Sequence, residues 1–152
     1  NLLLNCTHMK SSNEASEIEL MLQELHRAFF MLHKMSDRCL TDNSEITLSQ
    51  FMILRTIDAN SPLSASDVAE KLNITKAAVS RHLDNLIEAA LIERLFNDNN
   101  HREYILTIST NGKRELEKSR EILEINFSPR INKDSNSTAE LIRLLRAVMK
   151  DL

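Results

Sequence analysis

The sequence predicts a mostly α-helical, α+β fold with one small hairpin, and three observations carry that expectation. A single Gly and two Pro interrupt 152 residues, and aromatic residues make up only 4%, a composition that favours helix over sheet. Long stretches repeat apolar residues at helical spacing behind Ser and Thr caps. Two short strand-like runs flank one polar turn late in the chain. A hydrophobic content of 42% over this length permits one compact domain.

The segment 1–9, ending in His8-Met9, looks like a leader or cloning scar with Met9 as the natural start, and is set aside. From Glu14 to Cys39 no breaker occurs, and Ile18, Leu22, Leu25, Phe29 and Leu32 recur on one helical face, widened by Met21, Ala28 and Met35. So broad an apolar surface requires a partner. Thr47-Leu48-Ser49-Gln50 reads as a capping box opening a helix through Phe51, Leu54, Ile57 and Asp58 that ends before Ser61-Pro62. Ser64-Ala65-Ser66-Asp67 opens the next helix, with Val68, Ala69 and Leu72 on its apolar side. Asn73 tolerates the left-handed backbone that ends a helix, Ile74 is read as a hydrophobic plug, and Thr75 is the following cap. Beyond it Val79, Leu83, Leu86, Ile87 and Ala90 share one stripe, while Ala77, Ser80, Arg81 and Asp84 face away.

Leu91 to Phe96 and Tyr104 to Ile108 are strand runs, separated by the polar turn Asn97 to Arg102. Ser109 can cap a helix through Leu116, Ile122 and Leu123 toward Phe127, stopped by Ser128-Pro129. Ser137-Thr138-Ala139-Glu140 is read as the cap of a last helix striped by Leu141, Leu144, Leu145, Val148 and Met149, with Arg143, Arg146 and Lys150 opposite.

Two helices across a short turn, followed by a hairpin with a charged tip, are the order of a winged helix-turn-helix that reads duplex DNA. The outward face after Thr75 carries small residues that permit close approach, with Lys76, Ser80 and Arg81 placed to bond phosphates or base edges. At the hairpin tip His101 and Arg102 suit the narrow, electronegative minor groove. The candidate DNA-binding residues are Ser64, Thr75, Lys76, Ala77, Ser80, Arg81, Arg94, His101 and Arg102. For each charge the alternative is a solvated surface side chain, and for the hairpin a plain surface turn.

These residues resemble the MarR (multiple-antibiotic-resistance regulator) family of bacterial winged-helix repressors over nearly the whole chain. Thr75-Lys76-Ala77-Ala78-Val79-Ser80-Arg81 is similar to the opening of the family's recognition helix, and Leu91-Ile92-Glu93-Arg94 to the entry of its wing. Asn100-His101-Arg102 stands where the family usually has Asp-Arg-Arg, Ile108 to Gly112 where it has Leu-Thr-x-x-Gly, and Ala90 where Gly is common. Arg102 is therefore the stronger minor-groove candidate. The resemblance implies that the first and last helices intertwine as a homodimer, placing two recognition helices on a palindromic operator. The expected organisation is a dimerisation helix over 10–45, the winged DNA-binding domain over 46–112 and dimerisation helices over 113–152.

The net charge of −3 does not favour nucleic acid, and between Ser64 and Gly112 five basic residues (Lys71, Lys76, Arg81, Arg94, Arg102) face seven acidic ones. Phosphate affinity depends on the local field and on counterion release, so a compact cluster can bind while the acidic remainder restrains promiscuous contact. Cys6 and Cys39 are too few for a disulfide framework, and no signal peptide or membrane span is evident, which points to the cytoplasm. Cys39 is read either as a redox sensor or as a small buried hydrophobe. His26 and His33 share a helix face, but without Cys or carboxylate partners at ligand spacing they make no metal site. No cofactor is expected.

The resemblance implies a small aromatic or amphipathic effector between the dimerisation helices and the DNA-binding lobe, with His26, Phe30, His33, Phe51 and Arg55 as candidate lining. The chain has no Gly-rich phosphate loop, no nucleophile elbow and no paired carboxylates beside a base, so it is not read as an enzyme. The rival reading is a winged-helix module that binds protein without DNA readout, because fold alone does not fix the partner.

Overall fold

A computed structural model describes residues 12–96, 104–129 and 135–149. Its elements run α1 (Ser12–Asn43), α2 (Leu48–Asn60), α3 (Ala65–Leu72), α4 (Lys76–Glu88), β1 (Ile92–Phe96), β2 (Tyr104–Ile108), α5 (Thr110–Phe127) and α6 (Ser135–Met149). Among the described residues helices thus dominate around one antiparallel strand pair, the fold class expected from composition. The chain divides into two compact units, Asn1–Met35 and Ser36–Leu152, where composition alone allows one.

In the first unit, α1 exposes its apolar stripe: Ile18, Met21, Leu22, Phe29 and Leu32 are all exposed, with Phe29 at 69%. In the second unit the end of α1 contributes Leu40 to a core completed by Ile46, Phe51, Ile53, Leu54, Ile57, Leu63, Val68, Val79, Leu83, Leu86, Leu91, Ile92, Leu106 and Leu116. These residues come from every element between α1 and α5, so α2 sits at the centre and supports the rest. The α6 side chains Leu141, Leu144, Leu145 and Val148 are exposed.

Local chemistry explains the starts. Thr47 and Ser64 each form a full capping box, with Gln50 and Asp67 answering back to the cap N–H, while Thr75 and Ser109 each accept an N–H from the first turn of their helices. One expected cap is corrected. Helix α6 begins at Ser135, so Ser137 lies inside it, and the Glu140 carboxylate pairs with Arg143 at 2.6 and 2.8 Å instead of bonding a cap. This i,i+3 ion pair satisfies Glu140 without a helix end.

Both ends of the α3–α4 pair close through the Schellman pattern. After α3, the Asn73 N–H bonds the Glu70 carbonyl and the Ile74 N–H the Ala69 carbonyl, each at 3.0 Å, with Asn73 left-handed at φ 51°. After α4, Ala90 and Leu91 bond Ile87 and Leu86 at 2.9 Å, with Ala90 left-handed at φ 54°. Ile74 does not plug the first turn as expected: it is 42% exposed, and the turn is held by its backbone bonds.

Ser109 stitches this corner to α5. Its N–H donates to the Leu91 carbonyl at 3.0 Å, and its hydroxyl donates to the Ala90 carbonyl at 2.7 Å while accepting the Gly112 N–H at 2.9 Å. Gly112 is needed there because a Cβ would lie 2.0 Å from the Leu91 carbonyl oxygen. The hairpin pairs Ile92 with Ile108 through Phe96 with Tyr104, and the Leu106 N–H also bonds the Leu63 carbonyl at 2.7 Å. That bond fixes the hairpin against the residues just before α3. No helix among the described residues is long and apolar enough to cross a membrane.

Candidate nucleic-acid interface

Helix α4 turns Val79, Leu83 and Leu86 into the core, and this decides what its other side presents. Thr75, Lys76, Ala77, Arg81 and Asp84 are exposed and Ser80 is half-buried, as the stripe after Thr75 requires. The small residues Ala77 and Ser80 keep this face low between its two cations. Asp84, on the same face, accepts a 2.8 Å hydrogen bond from the Arg94 guanidinium on β1. That bond ties the strand to the helix.

A groove runs between the start of α3, the start of α4 and the hairpin, lined in part by Ser64, Ser66, Lys76, Ser80, Arg94 and Tyr104. It brings together four of the candidates, Ser64, Lys76, Ser80 and Arg94. Thr75, Ala77 and Arg81 lie on exposed α4 outside that lining. His101 and Arg102, with the other positions of the hairpin tip, fall outside the described residues.

Electrostatics at the start of α3 sharpen the chemistry. The Ser64 backbone N–H, bonded to Asp67 at 2.8 Å, holds the Asp67 carboxyl below its ordinary range, with the Ser64 hydroxyl and Lys71 adding to the effect. A carboxylate thus already occupies the positive end of α3, so an anion in the groove must be met by side chains and not by the helix terminus.

Two lining residues were not anticipated. Ser66 lay hidden inside a capping box, and Tyr104 read as an ordinary strand former. The available signal for Tyr104 is the pairing itself: once Ile92 faces Ile108, Tyr104 falls opposite Phe96 and on the same side as Arg94. Among the effector candidates, His26, Phe30 and His33 are exposed on α1, with the His33 ring 6.0 Å from that of Phe29. Phe51 belongs to the core, and Arg55 is exposed on α2. Cys39 is half-buried with a free thiol. Among the described residues no three His, Cys, Asp or Glu side chains come together to hold a metal ion.

Comparison with known proteins shows what this part of the chain is similar to. The MarR family profile matches residues 46–104, from the start of α2 to the return strand of the hairpin. Residues 46–104 are thus similar to the MarR family. The chain is 31% identical over 71 residues to an uncharacterized HTH-type transcriptional regulator, YhjH, of Bacillus subtilis, a match spanning 47% of this chain and 41% of that protein. It is 26% identical over 129 residues to the multiple antibiotic resistance protein MarR of Escherichia coli, covering 83% of this chain and 88% of that one. A crystal structure of a cysteine-to-serine mutant of the E. coli MarR complexed with operator DNA superposes with a TM-score of 0.69 at 25% identity, over 84% of this chain and 95% of that one. Of these, YhjH is named as a transcriptional regulator and the E. coli MarR mutant is seen with operator DNA. Within the residues similar to the MarR family, the departure at Ala90 is visible as a left-handed alanine, while those at Asn100 and His101 lie outside the described residues.

Proposed function

We propose that the MarR-like part of this chain binds double-stranded DNA as a cytoplasmic transcriptional regulator, acting as a repressor on a palindromic operator in homodimeric form. The observation that carries the reading is the exposed face of α4, where Thr75, Lys76, Ala77 and Arg81 stand clear of the core on a helix fixed at both ends. A face of this make-up admits a major groove and offers it hydrogen-bond donors, with Ser64, Ser80 and Arg94 alongside for the flanking phosphates. The mutant MarR complexed with operator DNA supports the same assignment by similarity. His101 and Arg102, at the hairpin tip, are assigned to the minor groove on sequence grounds alone.

Exposed apolar stripes on α1 and α6 support the homodimer, because a monomer in water would leave Leu22, Phe29, Leu32, Leu141, Leu144 and Val148 unburied. A small aromatic or amphipathic effector would act by binding better to a dimer whose recognition helices are wrongly spaced, lowering operator affinity by that difference.

The test is Arg81→Ala, measured by binding to a selected operator duplex and to a scrambled one. The variant should keep its dimeric mass and lose about 1–3 kcal/mol of discrimination between the two duplexes. Undiminished discrimination would defeat the assignment of α4 as the reading helix.

A further inference from the structure

The hairpin carries an overhang that its structural role does not explain. Residues two apart on a strand share a side with each other and with their cross-strand partners, so Ile92, Arg94, Phe96, Tyr104, Leu106 and Ile108 all occupy one face. At the base of that face Ile92 and Leu106 are buried in the core; at its far end Phe96 is 71% and Tyr104 49% exposed. The two rings meet at 5.2 Å with their planes inclined by 50°. Such a tilted pair stiffens both side chains.

Tyr104 also lines the groove that holds Ser64, Ser66, Lys76, Ser80 and Arg94. Every one of these side chains is a hydrogen-bond donor and two are cations, Lys76 and the Asp84-paired Arg94, which is the chemistry that recognises a phosphodiester oxygen. The phenol adds a neutral donor on a short arm with two torsions, and its ring is already held by Phe96.

We infer that Tyr104 is a DNA-backbone contact: its hydroxyl donates to a phosphate oxygen of the duplex seated in this groove, and Phe96 sets the ring for it. The inference rests on the DNA-binding reading and adds a residue that neither charge nor helix position marks. A free phosphate ion presents the same oxygens, so the experiment must separate the two sources.

Tyr104→Phe removes the hydroxyl and keeps the ring pair. The probe is the duplex that the wild-type protein itself enriches from random sequence, with affinities measured across a salt series. The variant should melt like the wild type and bind about ten- to a hundredfold more weakly, since a hydrogen bond to a charged group is lost. Its salt slope should match the wild type, because a neutral phenol displaces no counterion. Replacing single phosphates by methylphosphonates should reveal one position per half-site that weakens the wild type but leaves Tyr104→Phe unaffected. Binding of Tyr104→Phe equal to wild type would overturn the inference, and so would a loss spread evenly over every methylphosphonate position. Inorganic phosphate added at constant ionic strength should displace no DNA; displacement from the wild type and not from the variant would assign the groove to a free anion instead. Failure of the wild type to enrich any duplex would be a different result, removing the DNA-binding reading and this inference with it.

Discussion

Ala90 offers the sharpest test of how α4 is held. It occupies the residue after the α4 cap in a closed Schellman turn, at φ 54°, where a Cβ is disfavoured. For an alanine that backbone costs about 1–2 kcal/mol. Replacement by Gly removes the strain but adds unfolded-chain freedom of about 0.5–1 kcal/mol. Ala90 is exposed and lies beyond α4, so no packing and no helix propensity are lost. The Ser109 hydroxyl bonds the residue's carbonyl and not its side chain, so that bond survives as well. The net expectation for Ala90→Gly is a gain of about 0.5–1 kcal/mol. With a urea slope of about 2 kcal/mol/M, the unfolding midpoint should rise by roughly 0.4 M at unchanged slope. Wild type and variant must be compared at one protein concentration, because self-association would otherwise shift the midpoint. Ala90→Val, a β-branched residue in the same conformation, should move the midpoint the other way. An Ala90→Gly midpoint at or below wild type would refute the strain argument.

The core makes two further demands. Gly112→Ala drives a Cβ to 2.0 Å from the Leu91 carbonyl oxygen and 2.8 Å from Ile108 Cγ1, and backbone cannot yield as a side chain does. A loss of about 3 kcal/mol or more is expected in the same urea assay, together with weaker operator binding as the α4–β1 corner loosens. Ser119, fully buried on α5, has a hydroxyl that makes no hydrogen bond among the described residues. Ser119→Ala should therefore raise the midpoint, by about 1 kcal/mol in stability, and a drop would show that the hydroxyl has a partner in solution.

How much of this was legible depends on the range of the forces involved. The caps at Thr47, Ser64, Thr75 and Ser109 were readable because each is settled within four residues. The buried side of α4 was readable because one helix period places Val79, Leu83 and Leu86 together. The exposure of Ile74 is not legible, because the turn it sits in is closed by backbone bonds, which leave no mark on side-chain type. The start of α6 was misjudged because Glu140 could serve a cap or an ion pair, and only geometry shows that Arg143 takes it. The Asp84–Arg94 bond and the Phe96–Tyr104 pair join elements across a register that the sequence does not spell out. Single-residue departures from the family wording were readable as anomalies, and at Ala90 the anomaly has a physical counterpart in its left-handed backbone.

The central claim is that α4 reads duplex sequence, twice, through a symmetric pair of chains. Selection of bound duplexes from a random pool by the purified protein tests it most directly. The account predicts enrichment of an inverted repeat whose half-sites lie about 10 bp apart, centre to centre. A pool that stays random through repeated rounds, or that converges on a lone half-site without its mirror image, would contradict it.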